Sequence, residues 1–309
     1  MRHNSRNVNY LRNNRKNVKR SNLFYIFFLF SYNSFVPIDI VADCNQDNLR
    51  LYKRGLGIIF NEEIDDNLKK KIKKILSDQE QKKIAVVGAA GETDERVACE
   101  KAILYDAGFS DLVYIQPTVA LAAYFGYPFT EQVPVMSVVI GETSTDLAII
   151  LGEKTLYSGI LDVGVDTCIE AIMNLVAEKF NVEISYETAR GIFHDVASLL
   201  KNDTRYAKFP DFILKAEQVR EIIYPIYAQI IGAINHLLPQ ASAEIMRQIL
   251  NTGVVFGGIG AEIRGLTEAV YWSLQLQTMI ANDEENATLL GAGTLLDNPE
   301  LFLKLAQDA

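Results

Sequence analysis

From residue 82 onward, short apolar runs alternate with amphipathic stretches. The stretch at 82–90, "KKIAVVGAA", contains a continuous apolar run bounded by glycine and predicts a buried strand of a parallel sheet. "ETDERVACEKAILYDAG" predicts a helix that ends at Gly108, and "LVYI" at 112–115 predicts a second buried strand. "PTVALAAYFG" predicts a helix with Pro117 in its first turn. The pattern therefore predicts strand, helix, strand and helix.

Three apolar runs follow at 135–161 and are separated by two short polar turns, which predicts an antiparallel three-strand meander. The next stretch, "DVGVDTCIEAIMNLVAEKF", has apolar residues at helical spacing from Ile169 to Phe180, and we expect Asp166 to cap this helix. The remaining predicted elements are a helix at 187–200, a long helix at 217–238 kinked at Pro225, a strand at 253–256, and then a helix, a strand and a helix.

The order of elements at 82–126 is like the tail of an earlier copy of the unit that begins at 136. This arrangement resembles that of a large superfamily in which two such α/β halves face each other across a cleft. We expect residues 46–130 to be a remnant of the first lobe. Residues 131–309 then form the second lobe, with a helical insertion at about 183–252. No strand–turn–strand is expected before residue 80, so the first lobe is predicted to be shortened.

The first 45 residues form a basic and apolar leader. Residues 1–20 hold seven Lys or Arg and no acid, and "LFYIFFLF" follows at 23–30. A secretory signal, a transit peptide, a membrane-surface anchor and a disordered or misassigned start are all compatible with this pattern. The apolar run is too short for a membrane-spanning helix.

Charge and cysteine usage exclude several classes of function. The formal net charge is -9 despite the basic leader, so the globular part is acidic and is not expected to bind nucleic acid. Cys44, Cys99 and Cys168 are scattered, which argues against a disulfide framework and against zinc. His194 and His236 are interpreted as ordinary structural or surface residues.

Three stretches resemble one family when they are taken in order. "DAGFSDLVYIQPTVALAAYFGYP", "VGVDTCIEAIMNLVAEKFNVEISYETARGIF" and "GVVFGGIGAEIRGL" resemble MreB-like bacterial actins, over about residues 82–296. The third stretch is also similar to magnetosome actin-like filament proteins. The resemblance implies an α/β actin-like ATPase fold of two RNase H-like lobes, the first truncated or atypical. It also implies ATP and Mg²⁺ between the lobes.

The resemblance places a phosphate hairpin at 139–145. The family pattern Asp-x-Gly-Gly-Gly-Thr-Thr is replaced by Val139-Ile140-Gly141-Glu142-Thr143-Ser144-Thr145. Val139 removes an acid that would organise magnesium, and Glu142 adds a charge that repels phosphate. The residues expected to contact phosphate are Gly141, Glu142, Thr143, Ser144 and Thr145; the alternative is a polar β-turn without a ligand. The family's first hairpin, with its Asp-x-Gly pattern, is not identified in residues 1–80.

Three further places match functional positions of the family. Gln116 corresponds to a water-orienting residue, with a helix-capping amide as the alternative. Arg190 and Phe193 stand where the family holds ribose and base, with helix surface and core as the alternative. The adenosine-binding turn corresponds to Gly257, Gly258, Gly260, Ala261 and Glu262, where tight strand–helix packing is the alternative. No residue is assigned as a metal ligand.

The resemblance implies a cytoskeletal protein that forms nucleotide-linked filaments for cell shape or organelle positioning. The implied partners are other copies of the protein or a related actin-like protein. The implied location is the cytoplasm and the inner membrane surface. Weak or absent ATP hydrolysis is expected. One alternative is a degenerate actin-like scaffold with little or no ATP binding. Another is a phosphotransferase or chaperone of the superfamily; a chaperone needs a substrate domain after the ATPase module, and this chain ends at Ala309.

Overall fold

The structure, a computed structural model, describes residues 38–44, 48–76, 83–88 and 95–308. The chain divides into two units, and the described residues all belong to the second, Ile38–Ala309. Most of the predicted leader lies outside the described residues. The fold below is that of the second unit.

The described residues form mixed helices and strands. The strands are β1 Ile40–Cys44, β2 Asn48–Lys53, β3 Gly57–Glu63, β4 Lys83–Val87, β5 Asp111–Ile115, β6 Pro134–Ile140, β7 Thr145–Leu151, β8 Lys154–Leu161, β9 Tyr206–Lys208, β10 Ile213–Lys215, β11 Val254–Gly257, β12 Thr278–Ile280 and β13 Gln307–Asp308. The α-helices are α1 Leu68–Ile75, α2 Glu95–Ala107, α3 Pro117–Tyr124, α4 Val165–Phe180, α5 Tyr186–Val196, α6 Ala216–Leu237, α7 Ala243–Thr252, α8 Leu266–Leu274, α9 Ala287–Leu295 and α10 Pro299–Leu305. Short 3₁₀ helices cover Leu238–Gln240 and Ile259–Glu262.

The two large sheets share one topology over five strands, and β13 adds a sixth, antiparallel strand to the first sheet. The first sheet has the order β3-β2-β1-β4-β5-β13, and the second has the order β8-β7-β6-β11-β12. In each sheet the first three strands form an antiparallel meander. Two later strands then run parallel to the first strand of that meander. The prediction of two related α/β lobes is confirmed, and each lobe is built on one of these sheets.

The first lobe contains the hairpin that the sequence pattern did not reveal. β1, β2 and β3 form an antiparallel meander, so the prediction that no strand–turn–strand precedes residue 80 is wrong. Charged residues interrupt the apolar pattern of these strands, because Asp43 and Arg50 face the cleft and Lys53 ends β2. A strand with polar residues on one face gives a weak periodic signal. The first lobe is atypical in the sequence of this hairpin.

Apolar side chains alternate between the two faces of each sheet. In β1, Ile40 packs with α1 and α2, whereas Val41 packs toward α3 and α9. In β6, Val138 packs with α4 and α6, whereas Val139 packs toward α3 and α9. Helices α3 and α9 therefore lie in an apolar layer that the two sheets share.

Helix α9 approaches its neighbours closely through two glycines. A Cβ atom on Gly291 would lie 1.9 Å from the backbone oxygen of Ala120 in α3. A Cβ atom on Gly293 would lie 2.5 Å from the Tyr52 ring in β2. Because only glycine permits these approaches, α9 is tied to the first lobe although it follows the last strand of the second sheet.

The predicted elements of the second lobe are largely observed. The helix expected at 217–238 is α6, and Val219, Ile223 and Ile234 are fully buried in the core of the second lobe. Together with the 3₁₀ turn that follows, α6 is long and apolar enough to cross a membrane, but these contacts are those of a core helix. The segment interpreted as an insertion, 183–252, contains α5 to α7 and a two-stranded sheet of β9 and β10.

One capping prediction is wrong. The N-cap of α4 is Gly164, and Asp166 lies in the first turn of the helix. The Asp166 carboxylate accepts a hydrogen bond from the Tyr186 hydroxyl of α5, so it links two helices. Glycine is found at this cap because the preceding hairpin packs too closely for a side chain.

Candidate functional site

A cleft with a volume of about 320 Å³ lies between the lobes, at the ends of β1 and β6. Both hairpins, the start of α4 and the glycine turn after β11 contribute to its wall. The polar and charged residues that line it are Asp43, Cys44, Asn48, Arg50, Cys99, Glu100, Glu142, Thr143, Ser144, Asp146, Asp166, Arg190, Glu285 and Thr288.

The second hairpin, β6–β7, is held in shape by backbone hydrogen bonds. The Gly141 N–H donates to the Ser144 oxygen at 2.8 Å, which closes the turn. Gly141, Glu142, Thr143 and Ser144 line the cleft as predicted. Thr145 does not, because its hydroxyl is buried and donates to the Val163 oxygen at 2.7 Å.

The start of α4 packs against the same turn. The N–H groups of Val165 and Asp166 donate to the oxygens of Gly141 and Glu142 at 3.1 and 2.9 Å. A Cβ atom on Gly164 would lie 2.2 Å from the Glu142 oxygen. The first N–H groups of α4 therefore bind the hairpin itself, and the turn cannot move away from the helix without losing these bonds.

The first hairpin, β1–β2, brings an acid and a base into the cleft. Arg50 Nη2 lies 2.8 Å from Asp43 Oδ2, and both side chains are mostly buried. Arg50 Nη1 donates to the backbone oxygen of Glu285 at 2.7 Å and reaches its carboxylate at 3.3 Å. The same nitrogen is 3.4 Å from Asn286 Oδ1. Arg50 thus connects the first sheet to the loop between β12 and α9.

The strand registers show that the two hairpins are structural counterparts. Asp43 is the penultimate residue of β1 and pairs with Arg50 across the hairpin. Val139 is the penultimate residue of β6 and pairs with Asp146. Cross-strand partners project from the same face of a sheet. The first lobe therefore presents Asp43 with Arg50 where the second presents Val139 with Asp146.

The glycine turn after β11 divides into two parts. Gly258 lines the cleft and has a φ of 84°. Gly257 and Gly260 are buried, and Cβ atoms there would lie 2.5 Å from Leu121 and 2.2 Å from Ile140. Ala261 is fully buried. Tight packing accounts for Gly257 and Gly260, whereas Gly258 is the glycine of this turn that lines the cleft.

Glu262 lies outside the cleft wall, in the 3₁₀ helix that follows Gly258. Its carboxylate is 3.8 Å from His194 Nδ1. Partial burial and the acidic residues Asp283, Glu284 and Glu285 raise the pKa of Glu262, while His194 opposes that shift. The region behind the glycine turn is thus crowded with negative charge.

Of the other predicted site residues, Arg190 lines the cleft, whereas Phe193 and Gln116 do not. Arg190 lines the cleft and lies 3.5 Å from the Glu142 carboxylate. Phe193 is buried in the core of the second lobe and does not line the cleft, so base stacking at this position is not supported. Gln116 is the N-cap residue of α3, but its side chain makes no capping bond. It accepts a hydrogen bond from the Thr155 hydroxyl at 3.1 Å instead.

The cleft is strongly acidic. Among the residues that the structure describes, six carboxylates and two guanidiniums line it, and each guanidinium is close to a carboxylate. An anionic ligand must therefore compete for both arginines. Burial and then the neighbouring Glu100 raise the pKa of the Cys44 thiol well above its usual range, so this cysteine is a thiol and not a thiolate.

Sequence reasoning missed several residues of the cleft wall, namely Asp43, Arg50, Asp146, Asp166 and Glu285. Asp43-Cys44-Asn45 carried a usable signal, because it keeps the acid of the family's Asp-x-Gly pattern and changes only the glycine. Arg50 and Glu285 gave no local signal, since they meet only after the lobes come together.

The described residues match a nucleotide better than they match a metal ion. The hairpin at 141–144 and the turn at Gly258 meet in one cleft, as binding of a phosphate and an adenosine requires. Among the residues that the structure describes, no group of three His, Cys, Asp or Glu side chains is placed to hold a metal ion. Mg²⁺ at a nucleotide site is usually held by one or two carboxylates besides water and phosphate oxygens. Asp43 is already paired with the Arg50 guanidinium at 2.8 Å, and Val139 supplies no carboxylate at the equivalent strand end, so the residues of the two hairpins do not fit Mg²⁺.

Known proteins match this chain over most of its length. A family model described as MreB/Mbl protein matches residues 49–304, so the match begins earlier than the 82 expected from the sequence. The cell shape-determining protein MreB of Escherichia coli K12 is 26% identical over 225 residues, covering 69% of this chain and 64% of that protein. Mbl of Bacillus subtilis 168 is 25% identical over 181 residues, covering 55% and 54%. The chain thus spans less than two thirds of these relatives.

Solved structures share the fold. MreB5 of Spiroplasma citri bound to ADP superposes with a TM-score of 0.71 at 18% identity, covering 83% of this chain and 95% of that chain. The MamK double helical filament gives a TM-score of 0.66 at 14% identity, covering 84% and 99%. Since these two likenesses establish the fold and the family model covers more than half of the chain, the chain belongs to the MreB/Mbl family of actin-like proteins.

Proposed function

We propose that this chain is an actin-like cytoskeletal protein that assembles with copies of itself, or with a related actin-like protein, in a cell-shape or organelle-positioning role. The observation that carries the proposal is the repeated lobe topology around one cleft in a member of the MreB/Mbl family. A cytoplasmic location at the inner membrane surface is part of this proposal.

Adenine nucleotide is the proposed ligand of the cleft. The turn at 141–144 faces the phosphates and Gly258 faces the adenosine, in keeping with the ADP and AMPPNP named for the two MreB5 structures. Binding is expected to be weak, because carboxylates outnumber guanidiniums in the cleft wall. Hydrolysis is expected to be very slow or absent, because Val139 supplies no acid and Gln116 is hydrogen-bonded to Thr155.

The test measures assembly and nucleotide binding in parallel on the purified chain. Light scattering and electron microscopy follow assembly, and fluorescent ADP and ATP follow binding. Filaments that depend on micromolar nucleotide support a nucleotide-linked cytoskeletal protein. Filaments without detectable nucleotide binding support the second candidate, a scaffold that has lost its ligand. The pairing of both cleft arginines with carboxylates favours this candidate. Failure to assemble under any condition, alone or with a related actin-like protein, would overturn both.

A phosphotransferase role makes a different prediction. A kinase of this superfamily requires a catalytic acid that faces the acceptor hydroxyl. Transfer of phosphate from ATP to a small sugar, detected by mass spectrometry, would replace the cytoskeletal proposal. We expect no such product.

A further inference from the structure

We propose that the Arg50 guanidinium occupies the cation position of this cleft, so that the site is closed to divalent metal ions. Arg50 lies between two carboxylates, with nitrogens 2.8 Å from Asp43 and 3.3 Å from Glu285. A guanidinium in this geometry satisfies the same oxygens that a metal ion would bind.

The position follows from the hairpin register. Arg50 pairs directly with Asp43 across β1–β2, so its side chain projects from the same face and needs no loop movement to reach the carboxylate. The Asp43–Arg50 pair carries no net charge, so Asp43 itself adds no attraction for Mg²⁺ although the cleft around it is acidic. Arg50 is mostly buried, so water does not screen the pair as it does at an open surface.

At the equivalent strand end the second lobe provides no alternative cation site. Of its other cleft acids, Glu142 lies close to Arg190. Asp166 accepts a hydrogen bond from Tyr186. The counterpart of Asp43 is Val139, whose side chain cannot bind a metal, and its cross-strand partner Asp146 supplies one carboxylate. The described residues contain no cluster of three potential ligands. A phosphate compound is therefore expected to enter this cleft without a divalent ion held by Asp43.

The guanidinium also connects the lobes in the way that a metal-bound nucleotide otherwise would. Arg50 belongs to the first sheet, and its partner Glu285 belongs to the loop that leaves β12 of the second sheet. The same loop is held to the glycine turn by the bond from Gly258 N–H to the Glu284 oxygen, at 2.9 Å. On this side of the cleft, the Arg50 side chain therefore holds the two lobes together.

The experiment measures Mn²⁺ binding by electron paramagnetic resonance, without nucleotide, on the full chain. The wild type is expected to bind no Mn²⁺ at millimolar concentration. Arg50→Leu is expected to bind one Mn²⁺ at least about tenfold more tightly than the wild type, because a unit positive charge beside two carboxylates is removed. The double variant Arg50→Leu, Asp43→Asn should lose that site again.

Arg54→Leu is the matched control. Arg54 belongs to the same meander, lies 2.6 Å from the Asp39 carboxylate and donates to the Leu296 oxygen at 3.0 Å, but it does not line the cleft. Its removal takes away the same charge and should create no Mn²⁺ site. Arg50→Gln, which keeps hydrogen-bond donors near Glu285, gives the same test if the leucine variant does not fold.

Two results overturn the inference. One is tight binding of Mn²⁺ by the wild type that Asp43→Asn abolishes; the other is failure of folded Arg50→Leu and Arg50→Gln to bind Mn²⁺. The inference rests on the proposed function only in treating this cleft as the nucleotide cleft. Because the measurement uses neither nucleotide nor filaments, a failure to assemble would not produce either result.

Discussion

The first hairpin places an acid opposite a base, whereas the second places an apolar residue opposite an acid. Asp43 with Arg50 and Val139 with Asp146 hold equivalent positions in two sheets of the same topology. The backbones are alike and the chemistry differs. Topology is maintained by buried apolar faces and hydrogen bonds, and the few side chains at the strand ends are free to change.

The glycines of the second lobe teach a related lesson. A Cβ atom added to Gly164, Gly257 or Gly260 would lie within 2.5 Å of a neighbouring atom. These contacts are made within the chain and need no ligand. A glycine pattern that looks like a nucleotide motif can therefore be required by packing, and the charged residues of the cleft are the better guide to what it binds.

The largest expected effect tests whether packing fixes the second hairpin. Gly164→Ala should destabilise the protein by about 3 kcal/mol or more, since the new Cβ meets the Glu142 backbone oxygen at 2.2 Å. Urea unfolding measures the change. The control is Gly191→Ala in α5, where a Cβ meets nothing within 4 Å and should stabilise the helix by about 0.5–1 kcal/mol. Equal effects at the two sites would contradict the packing explanation.

A second variant gives the second hairpin the acid of the first. Val139→Asp puts a carboxylate into the apolar layer beside Asp146 and should cost about 3 kcal/mol at pH 7. Burial raises the pKa of the new carboxyl in the folded state, so the loss is present at neutral pH and shrinks as pH falls toward about 4. Val139→Asn is the uncharged control and should show no such pH dependence. Unfolding at pH 4 and pH 7 decides between them.

The pairing in the first hairpin is measured by a double-mutant cycle. Asp43→Asn, Arg50→Gln and the double variant should give a coupling energy of about 1–2 kcal/mol, because the pair is mostly buried and close. The equivalent cycle on Arg247 and Glu244, an exposed pair of α7, should give a clearly smaller coupling energy, because solvent screens the two charges. A coupling near zero for Asp43 and Arg50 would mean that solvent screens them after all.

The smallest effect concerns the acids behind the glycine turn. Glu262→Gln should stabilise the protein at pH 7 by at most about 0.5 kcal/mol, a figure reduced because 41% of the side chain is exposed. The raised pKa means that ionisation of Glu262 is unfavourable in the folded state, so the difference should disappear below about pH 4. Glu183→Gln, an exposed carboxylate between α4 and α5, is the control. A gain that persists at pH 3 would point to a cause other than charge.

Most of the second lobe was predictable from sequence, because its strands and helices are long and strongly periodic. β6 is buried along its whole length, and α4 and α6 carry clear apolar faces. The first meander was not predictable, since its strands are short and place charges on the cleft face. The sequence did not show that Arg190 lines the cleft whereas Phe193 is buried, because this difference depends on how α5 is oriented.

The return of α9 to the first lobe has a consequence for dividing this protein. A fragment that stops at residue 280 would contain every strand of the second sheet, yet it would leave Tyr52 and Ala120 without the helix that packs on them. The first lobe is thus assembled from segments at both ends of the described fold. A circular permutant that moves 281–308 ahead of residue 38 would place all of that lobe in one stretch of chain and is the natural starting point for studying the lobes apart.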